Sequence, residues 1–150
     1  MKLDDFQKHD VEYPGENYVR STPVPSLLGD FTVEMTVGEG EVPDQDLMDR
    51  LQGLIDRFQR DAEKVASLLH ESYREFVEQD PEWFEDVDIP TDLKVDQLAA
   101  YLDFRSLTID SEPNHRGEEF PARVYISPQW DEEHGFYLRF DGSDWQQVDC

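Results

Sequence analysis

The sequence predicts an α+β domain: an N-terminal β-hairpin, a long amphipathic helix, short linker helices, and C-terminal antiparallel strands that complete one sheet packed on the helix. Three observations predict it. Between residues 44 and 79, apolar side chains recur at steps of one, three or four, the spacing of one helix face. Within 31–37, 122–127 and 136–140, apolar and polar residues alternate as in half-buried strands. Glycine turns separate several of these stretches.

A β-hairpin is expected ahead of the helix. Gly29 and Asp30 have the residue types of a tight hairpin turn, and residues 24–28 and 31–37 on either side are predicted strands. The second strand alternates apolar with polar residues, so one of its faces should be buried.

The first residues lack such a pattern. Residues 1–18 are polar and aromatic without a period, so we expect a loosely held arm with Phe6, Tyr13 and Tyr18 as its anchors. Residues 19–150 then form a single α+β domain, the usual outcome for a chain of this length.

The long helix has clear ends in the sequence. Asp44 is expected to cap the first turn with its carboxylate, and Pro81 ends the helix because proline lacks an N–H and clashes with the preceding turn. A continuous helix from 44 to 79 would be about 54 Å long. That length is large for a small domain, so a bend is expected, with Gly53 as the weakest point.

Shorter elements follow the long helix. One helical turn is predicted from Pro81, and a second short helix is predicted at 95–102 from its apolar spacing. The remaining strands are predicted at residues 107–109, 122–127, 136–140 and 145–148.

The net charge of −23 restricts the classes of partner. Phosphates and anionic membrane surfaces would be repelled, so neither nucleic acid nor membrane is an expected partner, whereas a basic protein is. Cys150 is the only cysteine, which excludes an intramolecular disulfide and fits a reducing cytoplasm. Met1 and Lys2 lead into acidic residues rather than an apolar signal core, which also favours a cytoplasmic protein.

An acidic run begins where the long helix ends. Eight carboxylates and no Lys or Arg occur from Glu75 to Asp92, although the helix dipole favours cations at a C-terminus. The run is either a solvated face or a docking patch for a basic partner. The residues assigned to this candidate patch are Glu75, Glu78, Asp80, Glu82, Glu85, Asp86 and Asp88.

A second cluster, Trp130-Asp131-Glu132-Glu133-His134-Gly135, lies between two predicted strands and should form their connecting loop. Its carboxylates and imidazole could serve a turn, hold a metal or perform acid–base chemistry. The loop of interest comprises Trp130, Asp131, Glu133 and His134.

The catalytic motifs for which residue order is diagnostic are absent from the sequence. There is no H-E-x-x-H, no G-x-S-x-G and no phosphate-binding glycine pattern. We therefore assign no catalytic residue, cofactor or metal ligand, and we expect a protein that is not an enzyme.

From Trp130 to Gly142 the chain resembles a group of uncharacterised bacterial domains whose shared ending reads W-x-x-E-H-G, an alternating strand and a glycine turn. The likeness covers residues 22–148. The resemblance implies an α+β fold and no catalytic residues. Similar proteins occur among immunity-like partners of bacterial toxins, which suggests a binding protein.

Three functions are therefore considered. The first is an acidic interaction module, an immunity-type inhibitor of a basic bacterial toxin. The second is a metal-assisted hydrolase centred on Glu133 and His134, and the third is a structural homodimer formed through exposed apolar surface on the long helix.

Overall fold

A computed structural model describes residues 1–9 and 15–148 and confirms the α+β fold. Seven strands form one sheet in the order β1-β2-β3-β4-β5-β6-β7, and three α-helices connect β3 to β4. The elements are β1 Phe6–His9, β2 Glu16–Arg20, β3 Thr32–Val37, α1 Gln45–Arg60, α2 Ala62–Gln79, α3 Pro81–Asp86, β4 Leu102–Asp110, β5 Ala122–Pro128, β6 Phe136–Phe140 and β7 Trp145–Val148. Two 3-10 helices, Leu3–Asp5 and Val95–Tyr101, complete the described elements.

All the strand pairs are antiparallel except β3–β4, in which Val33 lies beside Leu107 in a parallel register. A parallel pair needs a long crossover, and the helices supply it. The sheet is therefore made of two antiparallel halves that join at β3–β4, with the helical layer inserted at the join.

The core lies between the helices and one face of the sheet. Alternate residues of β3 and β5 are buried, while the residues between them are only half-buried. Phe58 of α1 is fully buried, with its ring centroid 4.7 Å from that of Phe31 and 6.2 Å from that of Trp145. One helix side chain thus joins both halves of the sheet, and the helix face predicted from apolar spacing is confirmed.

The expected bend in the long helix is present, but it lies at Asp61 rather than at Gly53. The Asp61 carboxylate accepts hydrogen bonds from Arg57 Nε (2.6 Å) and from the indole Nε1 of Trp145 (2.9 Å). The break therefore occurs where a side chain is tied to the sheet, not where the helix propensity is lowest. The Asp44 cap is confirmed, since its carboxylate accepts from the Leu47 N–H at 2.9 Å.

The N-terminal hairpin differs from the prediction. Residues 24–28 form no strand, and Val24 meets Phe31 only through an isolated bridge. The hairpin is instead β1–β2, which includes most of the segment expected to be a loose arm and ends two residues after it. Phe6 and Tyr18 are buried, at 9% and 8% exposure, and they attach these strands to the core; Tyr13 lies outside the described residues.

The C-terminal predictions agree more closely with the structure. The strands at 122–127, 136–140 and 145–148 are confirmed, and the short strand at 107–109 lies near the C-terminal end of the longer β4. The helix expected at 95–102 is present as a 3-10 helix. Among the described residues, every helix is too short or too polar to cross a lipid bilayer.

Candidate functional site

The short helix α3 is fixed to the body of the domain by its two aromatic residues and its cap. The Asp80 carboxylate accepts from the backbone N–H of Trp83 at 3.2 Å, and Pro81 occupies the first turn, where its missing N–H costs nothing. Phe84 is only 1% exposed and packs edge-on against Tyr73, with ring centroids 5.6 Å apart. The rest of α3 is held at the surface by this buried ring.

Trp83 lies on the outer side of α3. Its side chain is 40% exposed, yet its indole Nε1 donates to the backbone carbonyl of Trp130 at 3.0 Å. Trp130 is itself buried and packs edge-on against Tyr73 at 5.0 Å. The contact joins α3 to the loop after β5, so the two regions singled out in the sequence adjoin in space, which residue spacing did not predict.

The seven carboxylates of the predicted patch are all exposed. Among the described residues, none of them forms an ion pair with Lys or Arg. They occupy the end of α2, all of α3 and the turn that follows it. We call these residues, together with Trp83, the acidic surface: Glu75, Glu78, Asp80, Glu82, Trp83, Glu85, Asp86 and Asp88.

Tyr73 also holds the segment that leaves the acidic surface. Its buried hydroxyl donates to the carbonyl of Pro90 and accepts from the N–H of Leu93 at 3.1 Å. Burial raises the pKa of the Tyr73 hydroxyl, which therefore remains a neutral donor. The ring of His70 adds a 2.8 Å hydrogen bond to the Leu93 carbonyl. The His70 side chain is thus accounted for by a structural contact.

The loop of interest forms a turn between β5 and β6. The Asp131 carboxylate accepts from the His134 N–H at 3.2 Å and lies 3.3 Å from its ring Nδ1. Glu132, Glu133 and His134 are exposed. Within the described residues, no three His, Cys, Asp or Glu side chains converge on a possible metal position. The geometry accounts for Asp131 and His134 as turn residues.

The surface expected for a homodimer is largely occupied within the domain. The apolar residues of α1 and α2 belong to the core, and Phe76 and Val77 pack against it. Trp83, by contrast, is a large exposed apolar side chain in the helical layer, and it lies among charged residues. No feature of the helix face itself favours dimerisation.

A family model described as a domain of unknown function, DUF6985, matches residues 6–149. The match includes β1 and β2, in agreement with their place in the sheet. No curated protein and no solved structure matches the chain significantly.

Proposed function

Since the chain belongs to the DUF6985 family of domains of unknown function, we propose a role from its own surface: it is a non-enzymatic module that binds a basic protein through the acidic surface. The observation that carries this proposal is the position of Trp83. An indole ring is held by a hydrogen bond at 40% exposure, with exposed carboxylates on the same short helix.

This arrangement suits recognition of Lys and Arg side chains. The carboxylates attract a cationic protein over a long range and so accelerate the encounter. This attraction orients the partner more than it increases the affinity. A pre-positioned tryptophan loses little conformational entropy on binding, and its face attracts guanidinium groups. We therefore expect the carboxylates to determine the association rate and Trp83 to determine the dissociation rate.

The finer role is an immunity-type inhibitor of a basic bacterial toxin, such as a nuclease, acting in the cytoplasm. The net charge of −23 supports it, because a protein that covers a phosphate-binding cleft must present negative charge of its own. The resemblance to immunity-like bacterial domains supports it too. No observation favours the hydrolase or the homodimer over this role.

The test is affinity capture from the native host with matched baits. The first variant carries Glu82→Lys, Glu85→Lys and Asp86→Lys. A control variant with the same change in charge carries substitutions at three exposed acidic residues outside the acidic surface: Asp4→Lys, Glu39→Lys and Glu63→Lys. A third bait carries Trp83→Ala alone.

A basic protein retained by the wild type and by the charge control, but lost from the other two baits, is the expected result. Trp83→Ala should weaken binding of that protein by tenfold or more, since a central tryptophan is typically worth ~2 kcal/mol. Equal capture by all four baits would refute the proposed surface, and retention of acidic proteins only would refute the proposed class of partner.

A further inference from the structure

A groove of about 890 Å³ lies between α1 and the ends of β4, β5 and β6. Its size falls within the usual range for small-molecule sites. The half-buried rings of Phe120 and Phe140 supply the accessible apolar surface, above the core residues Leu54, Ile109 and Ala122. The groove is unrelated to the acidic surface in its residues and in its chemistry.

Four of the nine arginines in the chain line this groove. Four carboxylates also line it, so the groove is close to neutral although the chain as a whole carries −23. The arginines are Arg50, Arg57, Arg60 and Arg139, and the carboxylates are those of Asp56, Glu118, Glu119 and Asp141.

Two of these arginines are positioned in the same way. Arg50 donates through Nε to Asp46 at 3.0 Å, and its guanidinium lies 3.8 Å from the centroid of the Phe120 ring. Arg57 donates through Nε to Asp61, and its guanidinium lies 5.2 Å from the centroid of Phe140. Each guanidinium is therefore held by a carboxylate four residues away in the sequence and by an aromatic ring across the groove.

The outer nitrogens of these groups differ in their contacts. Arg57 Nη2 donates to the carbonyl of Ser143. Arg50 makes no further hydrogen bond within the described residues, so its Nη atoms can take an anion. The two arginines are seven residues apart on α1, which places them about 10 Å apart along one helix face.

Gly53 lies between these arginines and lines the groove. A Cβ added at this position would meet nothing within 4 Å, so packing within the described residues does not require glycine. Glycine is an unfavourable residue inside a helix. Its presence keeps the wall of the groove bare between the two positioned guanidinium groups, where any longer side chain would project into the space.

Arg139 lines the groove from β6, but its side chain lies on the sheet face that carries Gln146, opposite to the face where Phe140 and Trp145 pack toward α1. Arg139 Nη1 lies 3.5 Å from Glu118, and Nη2 donates to Gln146 at 2.9 Å. Its Nε is buried and has no acceptor among the described residues. This donor is therefore not directed into the groove, and the guanidinium groups available to a bound molecule are those on α1.

We propose that this groove binds an amphiphilic organic anion, a carboxylate or phosphate monoester on a hydrocarbon body. The anionic group contacts Arg50 from the Nη side, and the hydrocarbon packs against the rings of Phe120 and Phe140. The row of guanidinium groups above an apolar floor is complementary to such a molecule in charge and in polarity, and Gly53 leaves room for it.

The experiment uses the full chain and four probes of equal hydrocarbon length: decanoate, decyl phosphate, decan-1-ol and decyltrimethylammonium, each below its aggregation concentration. Titration calorimetry gives the affinity, and amide chemical shifts locate the site. Decanoate or decyl phosphate should bind with 1:1 stoichiometry and shift the amides of α1. The stronger of the two identifies the anionic group, and the alcohol and the cation should bind at least tenfold more weakly.

The variants separate binding from folding. Gly53→Leu should fold with a melting temperature no lower than that of the wild type and should lose at least tenfold in affinity, whereas Gly53→Ala should keep it. Arg50→Gln should weaken the anions at least fivefold, and the exposed Arg74→Gln on α2 serves as its control. The proposal is overturned if neither anion binds, if decan-1-ol binds equally well, or if the Gly53→Leu chain binds like the wild type.

Discussion

Removal of the Tyr73 hydroxyl should destabilise the domain, because this hydroxyl bonds two backbone groups. The loss should exceed that at a described tyrosine whose hydroxyl lacks two such partners. Tyr73 is 1% exposed and joins the carbonyl of Pro90 to the N–H of Leu93. Tyr73→Phe deletes both hydrogen bonds without changing the packing of the ring. Each bond contributes about 1 kcal/mol net, and the buried N–H of Leu93 loses its acceptor, so the expected loss is about 2 kcal/mol.

The assay is urea unfolding followed by circular dichroism, with Tyr101→Phe as the matched control. The Tyr101 hydroxyl makes no hydrogen bond within the described residues, so its removal should change the free energy of unfolding by less than about 0.5 kcal/mol. A loss of about 2 kcal/mol corresponds to a fall of about 4–8 °C in melting temperature for a chain of this size. Amide exchange at Leu93 should also accelerate in Tyr73→Phe. Equal stability of the two variants would refute the role given to this hydroxyl.

Three further predictions concern the cap, the core and one ion pair. Asp44→Ala removes the acceptor of the Leu47 N–H and should cost about 1 kcal/mol in urea unfolding. Phe58→Ala should cost about 4 kcal/mol, because this fully buried ring joins both halves of the sheet. The paired Arg123 guanidinium lowers the pKa of Glu118 from 4.5 to about 2, so this group stabilises the fold above pH 4.5 and loses that contribution as the pH falls toward 2. Glu118→Gln should therefore be about 1 kcal/mol less stable at pH 7, after allowance for solvent screening, with the difference vanishing near pH 2.

Local patterns in the sequence predicted the elements that local forces determine. The apolar spacing on the helix face and the cap at Asp44 depend on neighbours within a few residues, and both agree with the structure. The break at Asp61 depends instead on Trp145, 84 residues later, so propensity alone pointed to Gly53. The strand Phe6–His9 escaped prediction because only one of its four residues is buried, which leaves no alternation to detect.

The candidate sites show the same limit. Sequence composition identified the carboxylates near Trp83 and the loop after Trp130 separately, but their junction is a hydrogen bond between residues 47 positions apart. The groove combines α1 with residues 109–142, and its arginines are scattered in the sequence among a larger number of acidic residues. Only the fold brings them together, so charge counting could not indicate a site there.

The most direct test of the central claim is the association rate of the captured basic protein, measured by stopped flow at several salt concentrations. The wild type should associate fastest at low salt and slow steeply as salt is added, because exposed charges are screened. The variant with lysine at 82, 85 and 86 should associate at least tenfold more slowly at low salt and show a much flatter salt dependence. An association rate that does not change with salt concentration, or that is the same for the wild type and the variant, would contradict the account.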